Sequence, residues 1–133
     1  MDELLKGIQT LYTAAGGASL RALTTGGMWL NQVPQQPTGT YWVVVTPVAG
    51  PVEFVMNGGF TQECSVQFTI ASLTGTPAGV ALAMAGVRSL YDWCTMSLTG
   101  RTLLAARRSA EQGPLYDETT SGYIAYMDYI FMI

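Results

Sequence analysis

The chain contains no histidine. With it goes the commonest general base and metal ligand available at neutral pH. Charge is scarce too: Lys, Arg, Asp and Glu make up only 11% of the 133 residues, where a soluble domain carries roughly 25%. The only lysine, Lys6, falls on an outward helical position and reads as a surface charge, not a Schiff-base former. The two cysteines, Cys64 and Cys94, are far apart and form no CxxC, so neither a zinc knuckle nor a redox motif can be built from them. Both read as small buried apolar residues, a usage that fits a reducing compartment. Nine acidic against six basic residues leave a net charge of −3, which argues against non-specific nucleic-acid binding. The longest apolar run, AGVALAMAGV at 78–87, is about half the ~20 residues a membrane span needs. The opening MDELLKGIQ has no positive n-region and does not read as a secretory signal. The chain is therefore expected to be soluble.

The search for chemistry ends in the same way. Three Gly-Gly pairs, at 16–17, 26–27 and 58–59, fit neither a dinucleotide fingerprint nor a phosphate loop and read as turns. Serine and threonine are plentiful, but no base stands ready to activate one. The carboxylates are scattered: Asp2, Glu3, Glu53, Glu63, Asp92, Glu111, Asp117, Glu118 and Asp128. Asp117-Glu118 could hold a hard cation; a solvated hairpin tip is the plainer reading. No catalytic residue, cofactor or metal site is predicted.

What is present is packing material. Hydrophobic residues make up 49% of the chain, and its length suits one domain spanning 1–133. Leu4, Leu5, Ile8, Leu11 and Tyr12 share a helical face, with Asp2 as a candidate cap and Gly16-Gly17 as a stop. Ser19 offers a cap for a short helix, LRALT. MWLNQVP is a short extended piece closed by Pro34, and QQPTGT is a loop. YWVVVTPV, 41–48, reads as a strand that Pro47 ends or marks as an edge. VEFVM then reaches Asn57-Gly58, a turn signal. FTQECSVQFTI, 60–70, alternates cleanly as a half-buried strand.

Thr76-Pro77 opens the main helix, whose stripe holds Val80, Ala83, Val87, Leu90, Tyr91 and Cys94, with Trp93 at its border. RTLLAARRSAEQ favours helix by propensity. The closing segment needs a partner, however, so 102–111 reads as a strand and GPLYDETTSG as the hairpin loop. The expected fold class is α+β: a mostly antiparallel sheet of four to five strands, with an N-terminal helix and one long helix packed on it.

The last segment, SGYIAYMDYIFMI, is apolar on both strand faces apart from Asp128. One parity holds Tyr123, Ala125, Met127, Tyr129, Phe131 and Ile133, and the other Ile124, Tyr126, Asp128, Ile130 and Met132. The long helix can cover only one of them. An apolar second face on a chain this poor in charge suits a surface hidden against another subunit; a strand sandwiched inside one core is the alternative. Tyr12, Tyr41, Trp42, Phe60, Phe68 and Tyr91 fall on core positions. Trp29, Tyr116, Tyr123, Tyr126 and Tyr129 are interface candidates, since Tyr and Trp bury area and keep a polar tip. Ile130 and the basic pair Arg107-Arg108 complete that set.

SLRALTTGGMWLNQVPQQPTGTYWVVVT, with its L-x-x-L-x-x-G-G … V-P … Y-x-V-V-V pattern, is followed by an alternating strand, a long helix and two closing strands. Over nearly the whole chain this layout resembles the tail terminator or tail completion family of long-tailed bacteriophages and gene transfer agents. It departs from those relatives in its low charge and at Trp42, where they place a proline. The resemblance implies a virion subunit, made in the host cytoplasm, that closes into a ring, usually sixfold. That ring would sit at the head-proximal end of the tail tube and stop its polymerisation. Its implied partners are itself, the tail tube protein and the head–tail connector protein, with DNA passing through the lumen, no sequence-specific nucleic-acid contact and no membrane. TPVAGPVEFVMNGG and GPLYDETTSG would be axial loops. Arg101, Arg107 and Arg108 would face the lumen or pair across subunits. Another neck protein is the near alternative; a small-ligand or peptide-binding module is the distant one.

Overall fold

The computed structural model describes residues 2–32, 39–56, 59–119 and 121–133, with side chains described except at 2, 49–56, 59–61 and 101. Helix α1 (Asp2–Thr13) leads through a 3-10 turn to α2 (Ala18–Leu23). Strands β1 (Met28–Leu30), β2 (Trp42–Met56) and β3 (Gly59–Ser72) precede α3 (Pro77–Tyr91). A small hairpin, β4 (Ser97–Leu98) and β5 (Arg101–Thr102), then leads to β6 (Ala105–Asp117) and β7 (Gly122–Met132). The main sheet runs β1-β2-β3-β7-β6. All its pairings are antiparallel except β1 with β2. The expected α+β class therefore holds, with five strands in the sheet.

Alternation builds the core. Cys64, Val66, Phe68 and Ile70 of β3 face the same way as Ala125, Met127, Tyr129 and Phe131 of β7. Leu4, Ile8 and Tyr12 of α1 pack on that face, as do Val80, Ala83, Met84, Val87 and Tyr91 of α3. The helix layer is thus confined to one side of the sheet. Tyr91 ties the two helices together through a hydrogen bond from its hydroxyl to the Ile8 carbonyl at 2.8 Å. Thr76 caps α3 as its sequence implied: its hydroxyl accepts from the Gly79 N–H at 3.1 Å, and Pro77 opens the helix. Gly79 is glycine for want of space, because a Cβ there would strike the Tyr41 hydroxyl.

Several boundaries differ from expectation. Pro47 does not end β2, which runs on to Met56 through register shifts between Pro47 and Val52. β1 pairs only as far as Val45. Val43 N–H and Val45 C=O bond toward β1, to Gly27 and Asn31, so Pro47, of the same parity, turns its missing donor to an open edge. TPVAGPVEFVMNGG is therefore mostly strand, not loop. GPLYDETTSG is shorter as a loop than expected too: β6 continues through Gly113, Pro114, Leu115 and Tyr116 to Asp117. A register shift between Gln112 and Leu115 absorbs the proline. Gly113, at φ +117°, sits where an added Cβ would come within 2.9 Å of Ala125.

The strand reading of 102–111 holds in kind, but the strand begins at Ala105. Its helix-forming composition yields to pairing with β7. Ser19 is not a cap: α2 starts at Ala18 behind Gly17, with no side-chain cap bond. Cys94 and Leu90 are half-buried, whereas Met84, absent from the predicted stripe, is buried. Tyr41 is half-buried as well. Asp2 as a cap, Pro34, the Asn57-Gly58 turn and Phe60 fall outside the described residues or side chains.

Candidate subunit interface

No helix covers the other face of the sheet among the described residues. Strand parity assigns to it Trp29 of β1, Trp42, Val44 and Thr46 of β2, and Gln67, Thr69 and Ala71 of β3. β7 contributes Ile124, Tyr126, Asp128, Ile130 and Met132, and β6 contributes Arg107 opposite Ile130. The β7 residues are all half-buried. Asp128 is the carboxylate that β7 itself places on this face, and its Oδ1 accepts from the Gln67 amide at 3.1 Å. The second apolar parity of the last strand is thus left to its sheet neighbours and to whatever lies beyond the subunit.

Two hollows mark this surface. One, of about 450 Å³, is framed by Gln67, Tyr126, Asp128 and the 110–112 segment. The other, of about 260 Å³, is walled by Trp42, Val44, Ala71, Leu73 and Ile124, with Asp117 at its rim. The first mixes polar and apolar surface. The second is mostly apolar, and Trp42 and Val44 form its nearly buried floor.

The predicted interface residues do not form one patch. Tyr126, Ile130 and Arg107 share the open face, with Trp29 on its far side, where the indole N–H donates to the Gly26 carbonyl at 3.0 Å. Tyr116 is 57% exposed and packs edge-on to Tyr123 at 5.4 Å, near the β6–β7 turn. Tyr129 is a correction: it is 0% exposed, in the helix-side core against Phe68. Its parity is that of Met127 and Phe131, so the alternation already excluded it from the outer face. Arg108 is not on the open face either. It pairs with Glu111 at 3.0 Å and Asp92 at 3.6 Å, and Glu111 also binds Arg88 at 3.0 Å. The Tyr129 hydroxyl donates to Asp92 in the same cluster. Two cations and two carboxylates therefore neutralise one another where α3 meets β6, with Arg108 paired inside its own chain.

Burial pushes the Cys94 thiol up to about 11, away from the thiolate that reactive cysteines need. Burial likewise raises the Tyr91 phenol, and burial together with the bond to Asp92 raises that of Tyr129. Among the described residues no three His, Cys, Asp or Glu side chains come together to hold a metal, and no helix is long and apolar enough to cross a membrane. Asp117 instead accepts from the Thr119 N–H at 3.0 Å, a local turn.

Sequence reasoning missed Trp93. It is the most exposed of the large apolar residues described, at 71%. Its place off the helical stripe was the available signal. Leu104, Leu73, Leu82 and Val48 are exposed as well.

No protein-family model matches the chain, and no curated protein matches it by sequence. Solved structures do share the fold. A chain of the virion of a native gene transfer agent particle superposes with a TM-score of 0.75 at 17% identity, covering 97% of this chain and 91% of that one. A second solved chain superposes with a TM-score of 0.61 at 15% identity, covering 98% of this chain and 94% of its own. At such identities the likeness establishes the fold.

Proposed function

We propose that this protein is a structural subunit of a phage-type virion, without catalytic activity, that closes with its copies into a ring at the head-proximal end of a tail tube. The ring ends tube polymerisation and joins tail to head connector. The observation that carries the reading is the end-to-end match of fold with a chain of a gene transfer agent virion. Three further features support it. The surface is poor in charge, the sheet is covered by helices on one side only, and the opposite side presents half-buried Ile124, Tyr126, Ile130 and Met132. Closed rings need heterologous contacts between two different surfaces, and such a face can supply one of them.

Electron microscopy of the protein, alone and with tube subunits of the same virion, tests this reading. Ring particles and tubes of limited length are expected, and both are lost when Tyr126→Asp and Ile130→Asp are combined. A protein that forms no rings and leaves tube length unchanged would refute it. The apolar hollow beside Trp42 favours a second reading, a small-ligand or peptide-binding module. Saturable ligand binding by a monomer that forms no rings would support that one.

A further inference from the structure

Trp93 puts a bulky side chain where glycine is the usual choice. It follows Asp92, the C-cap of α3, and adopts φ +55°, a region that large side chains avoid. Its N–H donates to the Ala106 carbonyl at 2.8 Å and pins the turn to the start of β6. The indole gains little from its own chain, being 71% exposed. A strained backbone that holds an apolar ring in water points to an outside partner.

The apolar hollow on the open face has a matching size. Its volume of about 260 Å³ equals roughly nine water molecules at about 30 Å³ each, room enough for one indole. It lies at the far end of the sheet. β6 starts beside Trp93 at Ala106 and ends at Asp117 on the rim, a span on the order of 30 Å at ~3.3 Å per residue. No tryptophan reaches that far within its own subunit. Charge follows the same polarity: Arg107 adjoins Ala106, Asp117 lines the hollow, and neither has an ionic partner among the described residues.

We infer that these features are the two halves of one contact between copies of this chain: Trp93 of one subunit enters the Trp42–Ile124 hollow of the next, and Arg107 meets the acidic rim. The inference rests on the assembly reading above and names the surfaces that meet. Knob and hollow lie at opposite ends, so the contact is head-to-tail. It repeats until the copies close.

Sedimentation velocity up to millimolar concentration tests it with two variants. Trp93→Gly removes the knob and suits the backbone. Ala71→Phe fills the hollow, with Thr69→Phe as a second filler should the first unfold by circular dichroism. Each variant alone should weaken self-association about 30-fold or more, as loss of a central aromatic anchor does. Mixed in equal amounts, they should form dimers and stop there, because each supplies the half the other lacks. Arg107→Glu should weaken association and Asp117→Arg should restore it. The contact is overturned if Trp93→Gly assembles like the parent, if the mixture stays monomeric or grows beyond dimers, or if the parent is monomeric throughout. Rings that persist in Trp93→Gly would sink this contact and leave the assembly reading standing. Absence of rings together with unterminated tubes would sink that reading itself.

Discussion

Replacing Tyr91 by Phe should destabilise the protein at neutral pH and cease to matter near pH 11. Tyr91 is wholly buried, its ring 4.7 Å from that of Phe68, and its hydroxyl donates to the Ile8 carbonyl at 2.8 Å. Phenylalanine keeps the ring. The Ile8 carbonyl keeps the N–H four residues on that a helix provides. The cost at pH 7 is then one net hydrogen bond, about 1 kcal/mol. Burial raises the phenol well above its usual value of 10.0. The fold therefore favours the neutral form. That contribution is intact below about pH 10 and declines at higher pH, where the unfolded chain loses a proton that the folded one retains. The decline is about 1.4 kcal/mol per pH unit for a phenol that stays protonated when folded. Phenylalanine has no proton to lose, so the ~1 kcal/mol gap should close near pH 11 and invert above it. Urea unfolding followed by tryptophan fluorescence measures this. The midpoint difference should be about 0.5 M at pH 7 if the slope is ~2 kcal/mol per M. Tyr129 titrates in both proteins and cancels from the difference. A gap that stays constant through pH 11 would show that burial does not hold the Tyr91 proton.

Two further outcomes are expected. Trp93→Gly, tested on the monomer by thermal unfolding, should gain about 0.5–1 kcal/mol, because relief of the left-handed strain exceeds the added chain entropy of glycine; a loss would mean that the indole packs on its own subunit. Thr76→Ala removes the acceptor for the Gly79 N–H and should cost about 1 kcal/mol in denaturant unfolding, with Thr76→Ser recovering most of it.

How far the fold could be read from the residues depended on the element. The β3 alternation from Gln62 to Ile70 and the Thr76-Pro77 helix start were plain, because each rests on a local rule of period or capping. The 105–117 strand was harder. Its composition favours helix, and only the need of β7 for a partner spoke against that. Pro47, read as a stop or an edge marker, proved to be the latter, while the segments holding Pro51 and Pro114, read as loops, stay in strands through register shifts. Of the interface candidates, Tyr126 and Ile130 were placed by parity alone. Tyr129 was chosen for its residue type against its own parity, and it lies in the core.

By itself, then, the amino-acid order determined which residues pair into layers, because strand period and helix period depend only on neighbours a few positions away. It also determined that no histidine-based chemistry is open to these 133 residues, since histidine is missing from them. Only the tertiary structure decided that Arg108 is neutralised within its own chain and that Trp42, Val44, Ala71 and Ile124 wall one hollow. It alone put Trp93 in water at the other end of β6. Those facts join residues from strands far apart in the chain, and no local period carries information about which distant surfaces end up side by side.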